Sequence, residues 1–341
     1  MKKQLFLFVM GVAAVLLFLE TIFRVLPVST ATRNGYHIHP LIITYPAQHC
    51  FSVATGWDLK NAQHNCANNY GFLADRDFVY DTQAIALIGD SFVEANMLPA
   101  QQRLGAQLQA EIPTRAVYAM GGPGSSLLDY AERAKFAAEK FGIRTFVFIL
   151  ERGDIKQAIC GSGNIHGPCL DAHTLEPRTE LQTPPDALKR ILRESALAQY
   201  VFSQIRFDIS KAITNPFRPI VEKSAPAVKD LPLAGSEAVI ANFLRQLSTI
   251  QDARFILLID ADRAHLFDTQ VNEPLDLKAL RNAAENMGAI VIDPAPAFRR
   301  FVLDSGETLE VGPYDRHWNG KAVQLLAGLV AQQLKELETH N

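Results

Sequence analysis

The sequence predicts an α/β fold, a three-layer α/β/α sandwich built on a five-stranded parallel sheet. Three observations carry this. Five short apolar runs, Ala84 to Gly89, Arg115 to Met120, Thr145 to Leu150, Arg254 to Asp260 and Ala289 to Asp293, are nearly continuous rather than alternating. Strands read that way when both their faces are covered. Segments of helical spacing lie between them, which is the order of a parallel sheet with crossover helices. The bulk composition agrees: 341 residues, 48% hydrophobic and 20% charged, allow a sizeable core and exclude a disordered tail protein. At ~150 residues per domain the length suggests about two domains. Lys plus Arg number 33 against 36 Asp plus Glu, a formal charge of -3 with no long basic run, so nucleic acid is not expected as a partner.

The first 30 residues read as a membrane segment. Lys2 and Lys3 precede an apolar run from Leu5 to Leu19, and Glu20 and Arg24 interrupt a second piece that ends at Val28. At ~1.5 Å per residue the first run reaches only about 22 Å, short of the ~30 Å hydrocarbon core, which suits the apolar part of a cleavable signal. Counted on to Val28 the segment is long enough to span, with Glu20 and Arg24 four apart on one face near its outer end, where they can pair or snorkel. The longer stretch is read as a retained anchor; Ser29-Thr30-Ala31 offers a small-residue cleavage site to the alternative, a removed signal. Both readings keep the basic end in the cytoplasm and export the rest, to the periplasm or beyond.

Cysteine usage fits export. Cys50 lies near Cys66 and Cys160 near Cys169, and an even count outside the cytosol suggests two short-loop disulfides. His49, His64 and His166 stand beside them, but no Cys-x-x-Cys or His-Glu-x-x-His spacing supports zinc. Residues 31 to 80 lack long periodic stretches, carry Pro40, Pro46, Gly56 and Gly71, and read as an irregular lead-in.

The main domain, 81 to 341, then alternates. Helices are expected near Gln101 to Glu111, Ser125 to Phe141, 236 to 250, 276 to 287 and Gly320 to Glu338. Residues 155 to 235 read as an insertion. Thr183-Pro184 resembles a helix start, and Leu188, Ile191, Leu192, Val201, Ile205 and Ile209 keep helical spacing towards Asn215-Pro216, predicting one long amphipathic helix followed by proline-bearing sequence.

In open parallel sheets ligands bind beyond the carboxyl ends of the strands, so the residues just after each strand are the candidates. Gly89-Asp90-Ser91-Phe92 follows the first strand. A serine at such a turn presents its hydroxyl at the sheet edge beside turn N–H groups, although serine before a helix often serves only as a cap. Gly121-Gly122-Pro123-Gly124 follows the second strand without the lysine of a phosphate loop or the spacing of a dinucleotide fingerprint. These glycines either make a tight turn or let a backbone N–H approach a reacting carbonyl. Tyr314-Asp315-Arg316-His317-Trp318-Asn319-Gly320 stands just ahead of the last helix. Histidine can deprotonate a serine near neutral pH when a carboxylate fixes its tautomer, and Asp315 with His317 supplies that pair.

Together, Gly-Asp-Ser-Phe, the glycine turn and Asp-x-His-Trp-Asn resemble the SGNH/GDSL hydrolase superfamily, specifically its exported, membrane-anchored bacterial members, over roughly residues 67 to 155 and 236 to 338; Asn69-Tyr70-Gly71-Phe72 resembles their lead-in. The resemblance implies a flavodoxin-like fold, Ser91 as nucleophile, His317 as base, Asp315 as its orienting partner, and Gly124 as an oxyanion donor beside the Ser91 amide. Two departures stand out. The family's Gly-Asn-Asp block corresponds to Glu151-Arg152-Gly153-Asp154, with glycine at the position of the oxyanion-donating asparagine and Arg152 as the candidate replacement donor. Asp-x-His replaces the commoner Asp-x-x-His, and resembles the Asp-x-His-Trp of alginate O-acetyltransferase-like proteins.

What the resemblance implies is a cell-envelope serine esterase acting on O-acyl, chiefly O-acetyl, groups of a carbohydrate, or an O-acetyltransferase if a sugar hydroxyl replaces water. Trp318 is a candidate to stack on a sugar ring or, alternatively, a packed aromatic. The reading of another class is a non-catalytic glycan-binding or polysaccharide-assembly protein with a degenerate site. No metal or organic cofactor is implied, and the chain leaves acyl group, glycan and oligomeric state open.

Overall fold

The computed structural model describes residues 2–162, 167–205, 233–268, 273–312 and 315–339. Their contacts divide the chain into two compact units, one from the described parts of 1–33, 49–66 and 183–223, the other from those of 34–48, 67–182 and 224–341.

The larger unit contains the sheet. Strands β5 (Ile85–Gly89), β6 (Val117–Gly121), β7 (Thr145–Leu150), β10 (Arg254–Ile259) and β11 (Ile290–Ile292) pair in parallel in the order β11-β10-β7-β5-β6. Successive strand residues face opposite sides, so each run splits between two cores. Ala86, Ile88, Phe146, Phe148 and Leu257 enter one, packed under helices α4 (Leu127–Phe141), α8 (Leu233–Leu247) and α9 (Leu275–Asn286). Ile85, Leu87, Val147, Ile149 and Leu258 enter the other, packed under α3 (Leu104–Glu111), α10 (Ala295–Ser305) and α11 (Gly320–Thr339). This is why the strands read as unbroken apolar runs, and it is the predicted sandwich.

Chain order reverses at β5. The next strand, β6, pairs on one side of it and β7 on the other, which opens a crevice at the carboxyl end of β5. The segments leaving β5, β6 and β7 are the three that carry Ser91, Gly121 to Gly124 and Glu151 to Asp154.

Smaller pieces complete this unit: hairpin β1–β2 (Gly35–His39, Ile42–Thr44), hairpin β8–β9 (Pro168–Leu170, Pro177–Thr179), and hairpin β12–β13 (Glu310–Gly312, Asp315–Trp318). A short helix, α5 (Asp154–Gln157), follows β7, and the Cys160–Cys169 disulfide ties the segment after it to β8.

The other unit holds α1 (Lys2–Val25), hairpin β3–β4 (Cys50–Thr55, Lys60–Cys66), α6 (Ala187–Glu194), α7 (Ala196–Ala198) and the π-helical segment Gln199–Gln204. Helix α1 is long and apolar enough to cross a membrane and buries none of its residues. Glu20 and Arg24 pair at 2.8 Å. Cys50 and Cys66 face each other across β3–β4 and are disulfide-bonded.

Two differences from the sequence reading concern local structure. Residues 31 to 80 contain the two hairpins β1–β2 and β3–β4, where an irregular run was expected. The expected long helix after Thr183 is broken at Ser195, whose backbone is extended and whose hydroxyl accepts the N–H of Ala198 to cap a new start. Serine competes with helix hydrogen bonding in this way, and apolar spacing alone does not register it. The helix's continuation through Ile209 to Asn215-Pro216, the proline-bearing stretch after it, His166 and Tyr314 lie outside the described residues.

Candidate active site

Ser91 opens the short helix α2 (Ser91–Glu94), and its cap is Asp90, whose Oδ1 accepts the Phe92 N–H at 2.8 Å. Because the aspartate does the capping, the serine hydroxyl is left for other contacts. The tight seating of α2 depends on glycine: a Cβ on Gly121 would lie 2.3 Å from the Glu94 nitrogen.

The structure brings Ser91, His317 and Asp315 together. His317 Nε2 lies 2.8 Å from Ser91 Oγ, and His317 Nδ1 lies 2.6 Å from Asp315 Oδ1, which also accepts the His317 backbone N–H at 3.0 Å. Burial opposes charge on the imidazole, but the hydrogen bond and negative charge of Asp315, with Asp90 and Glu94 behind it, leave the His317 pKa raised above its ordinary 6.5. Burial likewise opposes the Asp315 carboxylate, yet its bonds to His317 hold its pKa below the usual carboxylate value.

The β13 strand that carries this pair is pinned from beneath. Trp318 is 2% exposed, and its Nε1–H donates to Asp260 Oδ1 at 3.0 Å. Asp260, just beyond β10, also receives Arg263 Nη2 at 3.0 Å, and Arg263 Nη1 donates to the Arg316 carbonyl at 2.7 Å. Phe92 fills the space between, its ring centre 4.7 Å from those of both His317 and Trp318. Trp318 is therefore a packed anchor, the second of the two roles expected of it, and not the sugar-stacking one. Asn319 then caps α11, its Oδ1 accepting from Lys321 and Ala322.

Gly124 adopts φ +70°, a left-handed conformation open to glycine at little cost, in the turn that follows β6. Among the described residues its N–H has no hydrogen-bond acceptor. Behind the turn, fully buried Arg133 donates to the Gly89 carbonyl at 2.9 Å and the Ser125 hydroxyl at 2.8 Å.

In the third block Gly153 donates its N–H to Glu151 Oε2 at 2.5 Å, and Arg152 is engaged with Asp262 at 3.2 Å. Asp154 holds the turn closed: its Oδ2 accepts the Glu151 N–H at 2.8 Å and the Tyr130 hydroxyl at 2.9 Å. Complete burial, then the charges of Asp90 and Glu151, push its pKa well above the normal value. Asp90 is pushed up to about 6, first by burial.

Sequence reasoning missed two sets of residues. Asp260 and Arg263 follow the fourth strand and were open to the same strand-end inspection that found Ser91. Glu94 is buried on α2, takes hydrogen bonds from Tyr45 and Asn96, and is raised by burial to about 7. No sequence signal marks that network, because Tyr45 comes from a distant hairpin.

A cleft of about 1140 Å³ opens beside the Ser91–His317–Asp315 line, with Phe92, Arg152, Asp262, Arg263 and Glu310 among its walls. Carboxylates, guanidinium groups and apolar side chains share its lining. No protein-family model matches the chain, and no curated protein matches it. Among solved structures it is similar to a lipolytic G-D-S-L family protein from Veillonella parvula DSM 2008, at 14% identity and TM-score 0.39 over 73% of this chain and 96% of that one. It is also similar to an acetyl xylan esterase, at 13% identity and TM-score 0.40 over 73% and 98%. A third is a variant acetyl-xylooligosaccharide esterase from Geobacillus Stearmophilus, at 14% identity and TM-score 0.39 over 74% and 94%.

Proposed function

We propose that the chain is an SGNH/GDSL-type serine esterase or O-acyltransferase, anchored by α1, that works on O-acyl groups of a carbohydrate, chiefly O-acetyl. The observation that carries this is the continuous contact from Ser91 Oγ through His317 to Asp315, at 2.8 and 2.6 Å. It matches what general-base activation of a hydroxyl requires.

In the proposed reaction Ser91 Oγ bonds to the acyl carbon while His317 Nε2 takes its proton, and the carbonyl electrons move onto oxygen. The Ser91 and Gly124 amides are the assigned donors to that oxyanion. Collapse breaks the bond to the sugar oxygen, which leaves with the proton from His317, and the acyl group stays on Ser91. Water, or a hydroxyl of a second sugar, then gives its proton to His317 and bonds to the acyl carbon, and Ser91 departs with that proton. Which acceptor prevails depends on how far the bound sugar excludes water. The carbohydrate class follows from the motif resemblance and the expected export.

Turnover of p-nitrophenyl acetate by the full chain, compared with Ser91→Ala and His317→Ala, tests the reading. Activity lost in both variants supports the serine mechanism. Gly153 at the asparagine position favours the second reading, a non-catalytic glycan-binding protein. Folded wild type that turns over neither this ester nor acetylated polysaccharide, yet binds the latter, selects it.

A further inference from the structure

We propose that α6 and the tip of hairpin β3–β4 at Trp57 rest in the headgroup layer of a lipid bilayer, beside the point where α1 leaves it. This rests on the reading of α1 as a membrane span and goes beyond it, because it assigns a lipid-binding surface to residues far along the chain.

Helix α1 is not a bare segment. Beyond its apolar run Leu5 to Leu19, Glu20 accepts the Ser195 hydroxyl at 2.7 Å and the N–H groups of Ala196 and Leu197 at 3.0 Å each. Arg24 donates to the Glu194 carbonyl at 3.0 Å. One helical turn of α1 thus fastens the end of α6 and the start of α7. A signal destined for removal has no use for such a cap, and cleavage after Ala31 would leave these groups without it. Where a span's apolar run ends in a charged pair is where the hydrocarbon ends, so α6 is held at the level of the headgroups.

The composition of α6 suits that level. Leu188, Ile191 and Leu192 recur at i, i+3 and i+4 and form one face, and Leu188 and Ile191 are 66% and 69% exposed. Lys189, Arg190 and Arg193 occupy the remainder, with Glu194 turned to Arg33 at 2.6 Å. An apolar stripe flanked by basic side chains is the pattern of a helix lying in an anionic interface. A second copy is a poorer occupant: eight residues cover only about 12 Å of length, and pairing two such stripes would bring like charges together.

Trp57 is a separate observation that points to the same ligand. It sits at the β3–β4 tip, 75% exposed. The tip is tied to the same end of α1, since Tyr200 donates to the Trp57 carbonyl at 2.8 Å while its ring stacks on Phe23 at 4.2 Å. Tryptophan is enriched at this depth of a bilayer because its ring is apolar and its N–H polar.

The test uses the full chain in nanodiscs of phosphatidylethanolamine and phosphatidylglycerol. Single nitroxide labels go on cysteines introduced at Val12, Leu188, Arg190 and Ile191, all exposed on the protein's surface, so folding is preserved. Accessibility to oxygen is compared with that to a water-soluble nickel chelate. Labels at Leu188 and Ile191 are expected to favour oxygen and the label at Arg190 to favour nickel. Water-like values at all three, or spin–spin broadening that reports a second copy, overturn the proposal while a lipid-like Val12 keeps the span. A water-like Val12 overturns the span itself. Brominated lipid is expected to quench the Trp57 emission, isolated by subtracting Trp57→Phe from wild type because Trp318 is the other tryptophan. Unquenched Trp57 removes the hairpin tip from the interface.

Discussion

His317 has to be neutral to take a proton from Ser91, and its pKa lies above 6.5 because Asp315 faces it at 2.6 Å. The acid limb of kcat/KM for p-nitrophenyl acetate is therefore expected to have its midpoint above 6.5, with activity rising as pH rises through it. Asp315→Asn removes the charge that raises the pKa and the acceptor that fixes the tautomer. Turnover should fall by about 10³–10⁴ and the midpoint should shift downwards; an unchanged midpoint would separate Asp315 from His317. Gly153 gives the second prediction. Its φ of -88° is open to any residue, and an added Cβ meets only the ends of the Glu151 and Gln157 side chains, at 2.7 and 2.9 Å. Gly153→Asn is thus expected to fold, and if its amide reaches the oxyanion kcat should rise, with a ceiling of about 10³-fold. At this scale the sequence made Ser91, Asp315 and His317 legible because each stands in a short motif at an element's edge. It did not reveal Glu94, whose burial depends on Tyr45, nor the packed state of Trp318, which depends on Asp260 about sixty positions away.

Elements were legible in proportion to their periodicity. The five strands and the helices α3, α4, α8, α9 and α11 are found within a few residues of their expected bounds, since burial on two faces or one stripe writes itself into the apolar spacing. Helix α10 was missed because Pro294 and Pro296 bracket its start and mask its period. The hairpin β12–β13 leaves no period in the sequence because β13 is only four residues long, and its position is set by contacts from other elements: Asp260 to Trp318, and Arg263 to the Arg316 carbonyl. That makes the hairpin's attachment a separable feature. Trp318→Phe keeps the ring against Phe92 but leaves Asp260 Oδ1 without its donor. Such an orphaned buried acceptor costs about 1–3 kcal/mol. A fall in Tm is expected together with a lower kcat at little-changed KM, because looser seating of β13 misplaces His317. A fall in Tm with kcat intact would restrict Trp318 to stability.

Across the whole larger unit, the feature with a global consequence is the accumulation of buried acids around one sheet edge. Burial, the first cause in each case, raises Asp90, Asp129 and Asp260 to about 6 and Glu94 to about 7. Unfolding returns each to its ordinary value near 4, so between about pH 4 and 7 the folded chain binds more protons than the unfolded one. Stability must then fall as pH rises through that window, by up to about 1.4 kcal/mol per pH unit for each group fully in transition. His317 acts in the same sense just above it: its raised pKa contributes stability that is complete below 6.5 and lost as pH rises through the folded value. Asp315 and Asp262 are lowered and act oppositely, but their contribution is lost only as pH falls below about 4, outside this range. The two sets do not cancel, and Tm is expected to decline from pH 5 to pH 7.5. Glu94→Gln, which keeps an acceptor for Tyr45 and cannot ionise, should flatten the upper part of that decline. A Tm that is level or rising over the window in wild type would mean that the buried acids are better paired than their surroundings indicate. Two of these acids, Asp90 and Glu94, also raise His317, so the pH that best stabilises the fold is expected to lie below the pH at which Ser91 is best activated, and the two optima can be measured on one sample.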